Sequence, residues 1–410
     1  MLEPFDQIWT RREALHLLWR TQSGATAEQV DRATAEGPGA TVRRLIEPQP
    51  ETSNFTSTES VLLQSAMASG KIGALKNWWL YRMVYTANPL AEKMALFWHN
   101  HFATSNQKVR STAHMAAQNQ LIRRHALGSF RELLSGMARD VAMLKWLDSN
   151  ANRKRHPNEN FAREVMELFT LGVGNYSERD IKEAARAFSG WHLRNDEFWF
   201  NRTQHDDGSK TVLGKTGALG GEDVLDLCLA HEACPVFLAK KLLAAFVRPD
   251  PDKAAVGALA ASIRRHDFDM GKVVPELLCS RIFYAQSARR AIIKSPVDLV
   301  VGAYRALGNR AKLPPSVQLM ADLGQNLFEP PTVKGWEGGR LWINATSMLQ
   351  RSNFAADLVS GDRYGRIARP DRRVDYAELL LGGGLAGVPA ERDPRGRIQF
   401  YMSTPEYQLL

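Results

Sequence analysis

The chain has 410 residues, 44% hydrophobic and 24% charged, enough to bury one large core or two ordinary ones and too apolar for disorder. No apolar run approaches the roughly 18 to 20 residues of a membrane span, and charges fill the N-terminal stretch where a signal peptide needs an apolar centre, so a soluble, cytoplasmic protein is expected. The net charge of +9 comes from Lys and Arg alternating with Asp and Glu, and the one dense basic run, residues 153 to 156, reads as a solvated loop without the aromatic interleaving of a nucleic-acid surface.

Trp9, Leu15, Leu18 and Trp19 mark a first helix over 9 to 22. Thr26 and Gln29 form a capping box for a second, and Val42, Leu45 and Ile46 lie on a third. A polar linker at 48 to 58 precedes a long apolar helix from about Val61 to Tyr85. Asn88 caps and Pro89 opens the next helix, NPLAEKMALFWHNHF, where Leu90, Met94 and Phe97 define a face with His101 at its centre and His99 almost opposite. Two further helices occupy 115 to 148, with Ser129 and Asp140 as caps.

The stretch 156 to 193 is the densest in signals. Phe161, Val165, Leu168 and Phe169 give one helix face, Gly172 and Gly174 a turn, and Ser177 with Asp180 a capping pair for a second helix. On a regular wheel Glu164 falls inside the apolar stripe and Glu167 at its edge, and a carboxylate aimed at a core needs a partner. Beyond Trp191 the period changes. Clustered aromatics, a DDGS turn carrying His205 and Asp206, and a Thr-Val-Leu run predict an inserted β-hairpin near 192 to 213, with little other sheet. LGKTG at 213 to 217 has Ser209 where a phosphate loop requires glycine, and reads as a turn.

Helices resume at 222 to 230, 234 to 247, 252 to 265 and 271 to 284, and from Pro296 to Leu307. Residues 322 to 345 form a loop rich in Gly, Pro and Trp, long enough to suggest function. The three cysteines, Cys228, Cys234 and Cys279, make no C-x-x-C pair and read as small buried residues. The expected fold is therefore all-α: a multi-helix array in one compact domain over 1 to 410, carrying the small hairpin.

His101 and Glu164 on apolar faces point to chemistry that helical arrays build between packed helices: a divalent-metal site with both as ligands, or an acid–base pair with Glu167 in support. Alternatively, the two satisfy each other as a buried charged hydrogen bond and bind nothing. The site would lie between the 89–102 and 158–172 helices, roofed by the hairpin and the 322–345 loop. His205, Trp191 and Trp336 would contact substrate, and Trp191, Trp199, Trp336 and Trp342 could instead stack on a sugar or fill the core.

FWHNHF at 97 to 102, PNENFAREVMELFTLGVGNYSERD at 157 to 180, ARAFSGW at 185 to 191, HDDGSKTVLG at 205 to 214, KSPVDLVV at 294 to 301, GQNLFEPPTVKGWEGG at 324 to 339 and the PEYQLL tail closely resemble the bacterial family labelled domain of unknown function 1800. The resemblance runs almost end to end. It implies a helical fold and carries over no catalytic residue, because the family has no established activity. It also implies a partner: members are frequently encoded beside a family that looks like alkaline phosphatases and sulfatases, for which this chain would be a scaffold or maturation factor. Some members carry export signals, which this N-terminus does not show.

Overall fold

A computed structural model describes every residue except 1, 309, 366, 368, 369 and 384–392. Thr10 with Glu13, and Thr26 with Gln29, close capping boxes that start α1 (Arg11–Gln22) and α2 (Ala27–Ile46). The two helices expected after Gly24 are both present within α2, parted by a non-helical kink where Gly37 takes φ 79° ahead of Pro38. The single helix expected over Val61 to Tyr85 is two, α3 (Ser53–Ser69) and α4 (Ile72–Tyr85), broken where Gly70 turns left-handed at φ 62°. Thr52 accepts the Phe55 N–H and so starts α3 inside the expected linker.

Next comes α5 (Pro89–His101). Asn88 does not cap it; its amide clamps the Gln49 backbone instead, at 2.6 and 2.9 Å. After the short α6 (Asn106–Val109), three helices, α7 (Thr112–His125), α8 (Phe130–Ala138) and α9 (Val141–Trp146), occupy the region where two were expected, and Ser129 and Asp140 cap the last two as read from sequence. α10 (Asn160–Glu164) passes directly into a π-turn, Val165–Thr170, and Ser177 with Asp180 caps α11 (Glu178–Ala187).

Two small antiparallel hairpins follow instead of one: β1 (Trp191–Arg194) with β2 (Glu197–Phe200), and β3 (Lys210–Val212) with β4 (Lys215–Gly217). LGKTG is the turn and return strand of the second, with Leu213 and Gly214 both at positive φ. His205 and Asp206 lie in the connection between hairpins, not at a tip. The remainder is helical: α12 (Gly221–Ala230), α13 (Ala233–Phe246), α14 (Lys253–Arg265), α15 (Met270–Leu278), α16 (Arg281–Tyr284), α17 (Pro296–Leu307), α18 (Leu313–Asp322), α19 (Ala345–Ser360), α20 (Tyr376–Leu381) and α21 (Pro394–Met402). No helix among the described residues is long and apolar enough to cross a membrane.

The buried side chains form one contiguous cluster with α5 near its middle, packed on α1, α2, α4 and α7. Glu92 of α5 is buried, and accepts from Trp79 Nε1 (2.9 Å), Arg82 Nε (3.0 Å) and Arg123 Nη2 (2.9 Å). Although burial alone would raise its carboxyl, the two guanidiniums pull it down to about 2. α1 is fastened to a distant part of the chain. His16 Nε2 lies 2.9 Å from the Phe283 carbonyl, Arg20 donates to the Ala288 and Leu410 oxygens, and Ser23 Oγ reaches Asp298 at 2.6 Å.

Candidate functional site

The C-terminal end of α5 carries His99, Asn100 and His101 into three different surroundings. His101 is buried among Trp98, Phe102, Phe169 and Phe237. Its Nε2 stands 3.0 Å from the Phe169 carbonyl and its Nδ1 3.2 Å from Lys241 Nζ. A carbonyl only accepts and an ammonium only donates, so Nε2 carries the hydrogen and Nδ1 the lone pair. Burial and the Lys241 charge push the imidazole pKa well below its ordinary value. Lys241, itself brought down to about 8 by burial, also reaches the Leu168 carbonyl at 3.3 Å and lies 4.8 Å over the Phe237 ring.

These carbonyls are available because of the π-turn. Leu171 N–H returns to Met166 O, five residues back, and Thr170 Oγ1 donates to Val165 O at 2.5 Å. The final carbonyls at 168 and 169 are then free of intrahelical partners and sit at the negative end of the helix dipole, where His101 and Lys241 satisfy them.

Widening the turn also rotates the carboxylates. The buried face is Phe161, Ala162, Val165, Met166, Phe169 and Thr170, whereas Glu164 and Glu167 are half-buried beside Leu168. The regular-wheel placement of Glu164 within the core stripe is thus corrected. Its carboxyl is pushed up first by burial and then by Glu167, against the pull of Arg163 and Lys334. Glu167 accepts from Tyr176 Oη at 3.1 Å, and Arg163 forks to Glu159 and Glu178.

His101 and Glu164 therefore have different partners, and no hydrogen bond or ion pair joins them among the described residues. With both ring nitrogens of His101 engaged, a metal there would have to displace Lys241. Among the described residues no group of three or more His, Cys, Asp or Glu is placed to hold a metal ion.

Asn100 pins the glycine-rich loop, its Oδ1 accepting the Trp336 N–H at 2.7 Å. Gly335, at φ 82°, is pressed so close that a Cβ would stand 2.2 Å from that same oxygen. Trp336 is consequently buried rather than a free wall, and it closes over His99.

His99 was not expected inside. It is 1% exposed, boxed by Trp79 (5.2 Å), Phe328 (5.5 Å) and Trp336 (5.6 Å), and among the described residues neither ring nitrogen has a hydrogen-bond partner. Burial brings its pKa down to about 3, so it is a neutral base. The sequence signal for its burial was the near-absence of a polar face on α5, which is covered on both sides.

The hairpin region does not roof this site. His205 Nδ1 is bound to the Ser189 carbonyl at 2.8 Å, and Asp206 pairs with Arg186 at 2.8 Å. Trp191 is buried on Phe188 and Phe198 beneath the Arg139 guanidinium.

A family model described as a protein of unknown function, DUF1800, matches residues 16–408. No curated protein and no solved structure matches the chain.

Proposed function

This chain belongs to the DUF1800 family of proteins of unknown function, and we propose that it is an enzyme using general acid–base chemistry, with His99 as the base and Glu164 as a second proton-carrying group. The observation that carries this reading is the imidazole of His99, buried with both nitrogens unpartnered among the described residues. Leaving such a group unmet costs roughly 1 to 3 kcal/mol, and Phe would fill the same aromatic box without that cost. A substrate that lifts Trp336 and the 332–336 turn from Asn100 would also relieve the burial that holds the imidazole pKa near 3, restoring a base able to take a proton from the substrate or from an attacking water. Glu164, whose raised pKa favours its protonated form, lies toward Lys334 of the same loop and would return a proton.

The test compares wild type with His99→Phe and Glu164→Gln on a panel of chromogenic phosphate, sulfate and carboxylate esters, glycosides and anilides, and also maps carbethoxylation of histidines under native conditions. Turnover abolished by His99→Phe in a folded variant, with His99 carbethoxylated in the wild type, is expected. An unreactive His99 together with identical turnover in all three proteins would sink the reading.

A further inference from the structure

α1 and the turn following α16 line a cleft of about 340 Å³. Its described lining contains Arg12, His16, Arg289 and Arg290 and no Asp or Glu side chain. Arg289 is matched by Glu13 at 2.6 Å. Arg12 finds the Gln286 amide oxygen at 3.3 Å, and Arg290 the Leu381 carbonyl. Among the described residues, neither of these two guanidiniums has a carboxylate in ion-pair reach.

Behind them, one turn beyond His16 on the same face of α1, lies Arg20, fully buried. It spends Nη2 on the Ala288 and Leu410 oxygens, and among the described residues its Nε and Nη1 have no partner. Leu410 also lines the cleft, so the half-satisfied guanidinium lies behind a lining residue. Gathering Arg12 and Arg290 around one concavity, beside the Glu13-matched Arg289 and in front of Arg20, raises the energy of each unmatched guanidinium, and an anion bound there relieves it. The planar forks of Arg suit the tetrahedral oxygens of phosphate, and the half-buried ring of Trp19 supplies a flat apolar wall beside them.

We propose that this cleft binds a small phosphorylated molecule, its phosphate held by Arg12 and Arg290 and its body laid against Trp19. The proposal is independent of the His99 site. The test is calorimetric titration of the full chain with inorganic phosphate and pyrophosphate, alongside sedimentation with phosphatidylglycerol vesicles. Variants are Arg12→Gln, the double Arg12→Gln/Arg290→Gln, and Arg281→Gln as a control, since Arg281 pairs with Glu3 and Asp6 outside the cleft.

Each charge-assisted contact is worth roughly 1.5 to 3 kcal/mol, so losing one weakens binding by about 10-fold or more. Saturable pyrophosphate binding, weakened in the single variant, lost in the double and kept in the control, is expected. Vesicle binding lost in the same double variant would place the phosphate on a lipid headgroup. Absence of both kinds of binding, or equal affinities across wild type, double variant and control, overturns the proposal, with thermal melts confirming that each variant is folded.

Discussion

Lys241 Nζ lies 3.2 Å from His101 Nδ1, and both side chains end on successive carbonyls of one π-turn. The pair closes a helix end that would otherwise bury unsatisfied acceptors. Lys241→Met and His101→Phe should each cost about 1 to 3 kcal/mol in urea unfolding, and the double variant about 1 kcal/mol less than their sum. Strict additivity would show that the two act separately.

Gly335→Ala puts a Cβ against Asn100 at a left-handed φ, so the 332–336 turn must leave its seat. A loss of about 2 kcal/mol and a red-shifted tryptophan emission as Trp336 becomes wet are expected. Asn100→Ala should give the same shift from the other side of the contact. Wild-type emission in both variants would mean that the loop is held by something else.

Acid should weaken the fold in two stages. His16, His99 and His101 are all held neutral by burial, with folded pKa values below the ordinary 6.5. Below that pH the unfolded chain takes protons first, and each histidine withdraws about 1.4 kcal/mol per pH unit. Asp140, raised to about 6 by burial, works in the opposite direction down to the ordinary aspartate value of 3.8 and offsets one of the three. Below 4.5 the stabilisation from Glu92 begins to go, about 3 kcal/mol in all by pH 2. Urea midpoints should fall from pH 6.5 and steepen below 4.5, with His99→Phe removing one proton's worth of the first slope. A flat midpoint between pH 6.5 and 5 would contradict this.

Glu164 has the opposite sign. Its folded pKa is raised, so the native state holds the proton more tightly and ionisation at higher pH weakens the fold. Glu164→Gln should therefore gain roughly 0.5 kcal/mol at pH 8 and nothing at pH 4. Equal effects at both pH values would rule out charge as the cause.

The helix starts were readable because caps are local: Thr26, Ser129, Asp140 and Ser177 each act within three residues of themselves. The break at Gly70 was hidden by the continuous Trp- and Met-rich pattern around it. Glu164 was misplaced because a wheel of fixed period was carried on to Leu168 and Leu171, which lie within and beyond an i→i+5 turn that displaces them relative to it. His99 was missed because a wheel assumes one covered face, whereas α5 is enclosed by helices on both. Which side chain meets His101 depends on how α5 crosses the 160–170 helix and α13, a long-range property that no local pattern holds.

The fastening of α1 sets a timetable for the nascent chain. His16 and Arg20 find their acceptors 267 and 268 residues later, at Phe283 and Ala288. At roughly 5 to 20 residues per second the ribosome needs about 13 to 54 s to deliver them. Throughout that interval α1 can bury only the faces it shares with α2 and α5, while the polar groups of His16 and Arg20 wait for their acceptors, so this end of the core closes only after the C-terminal half has been made.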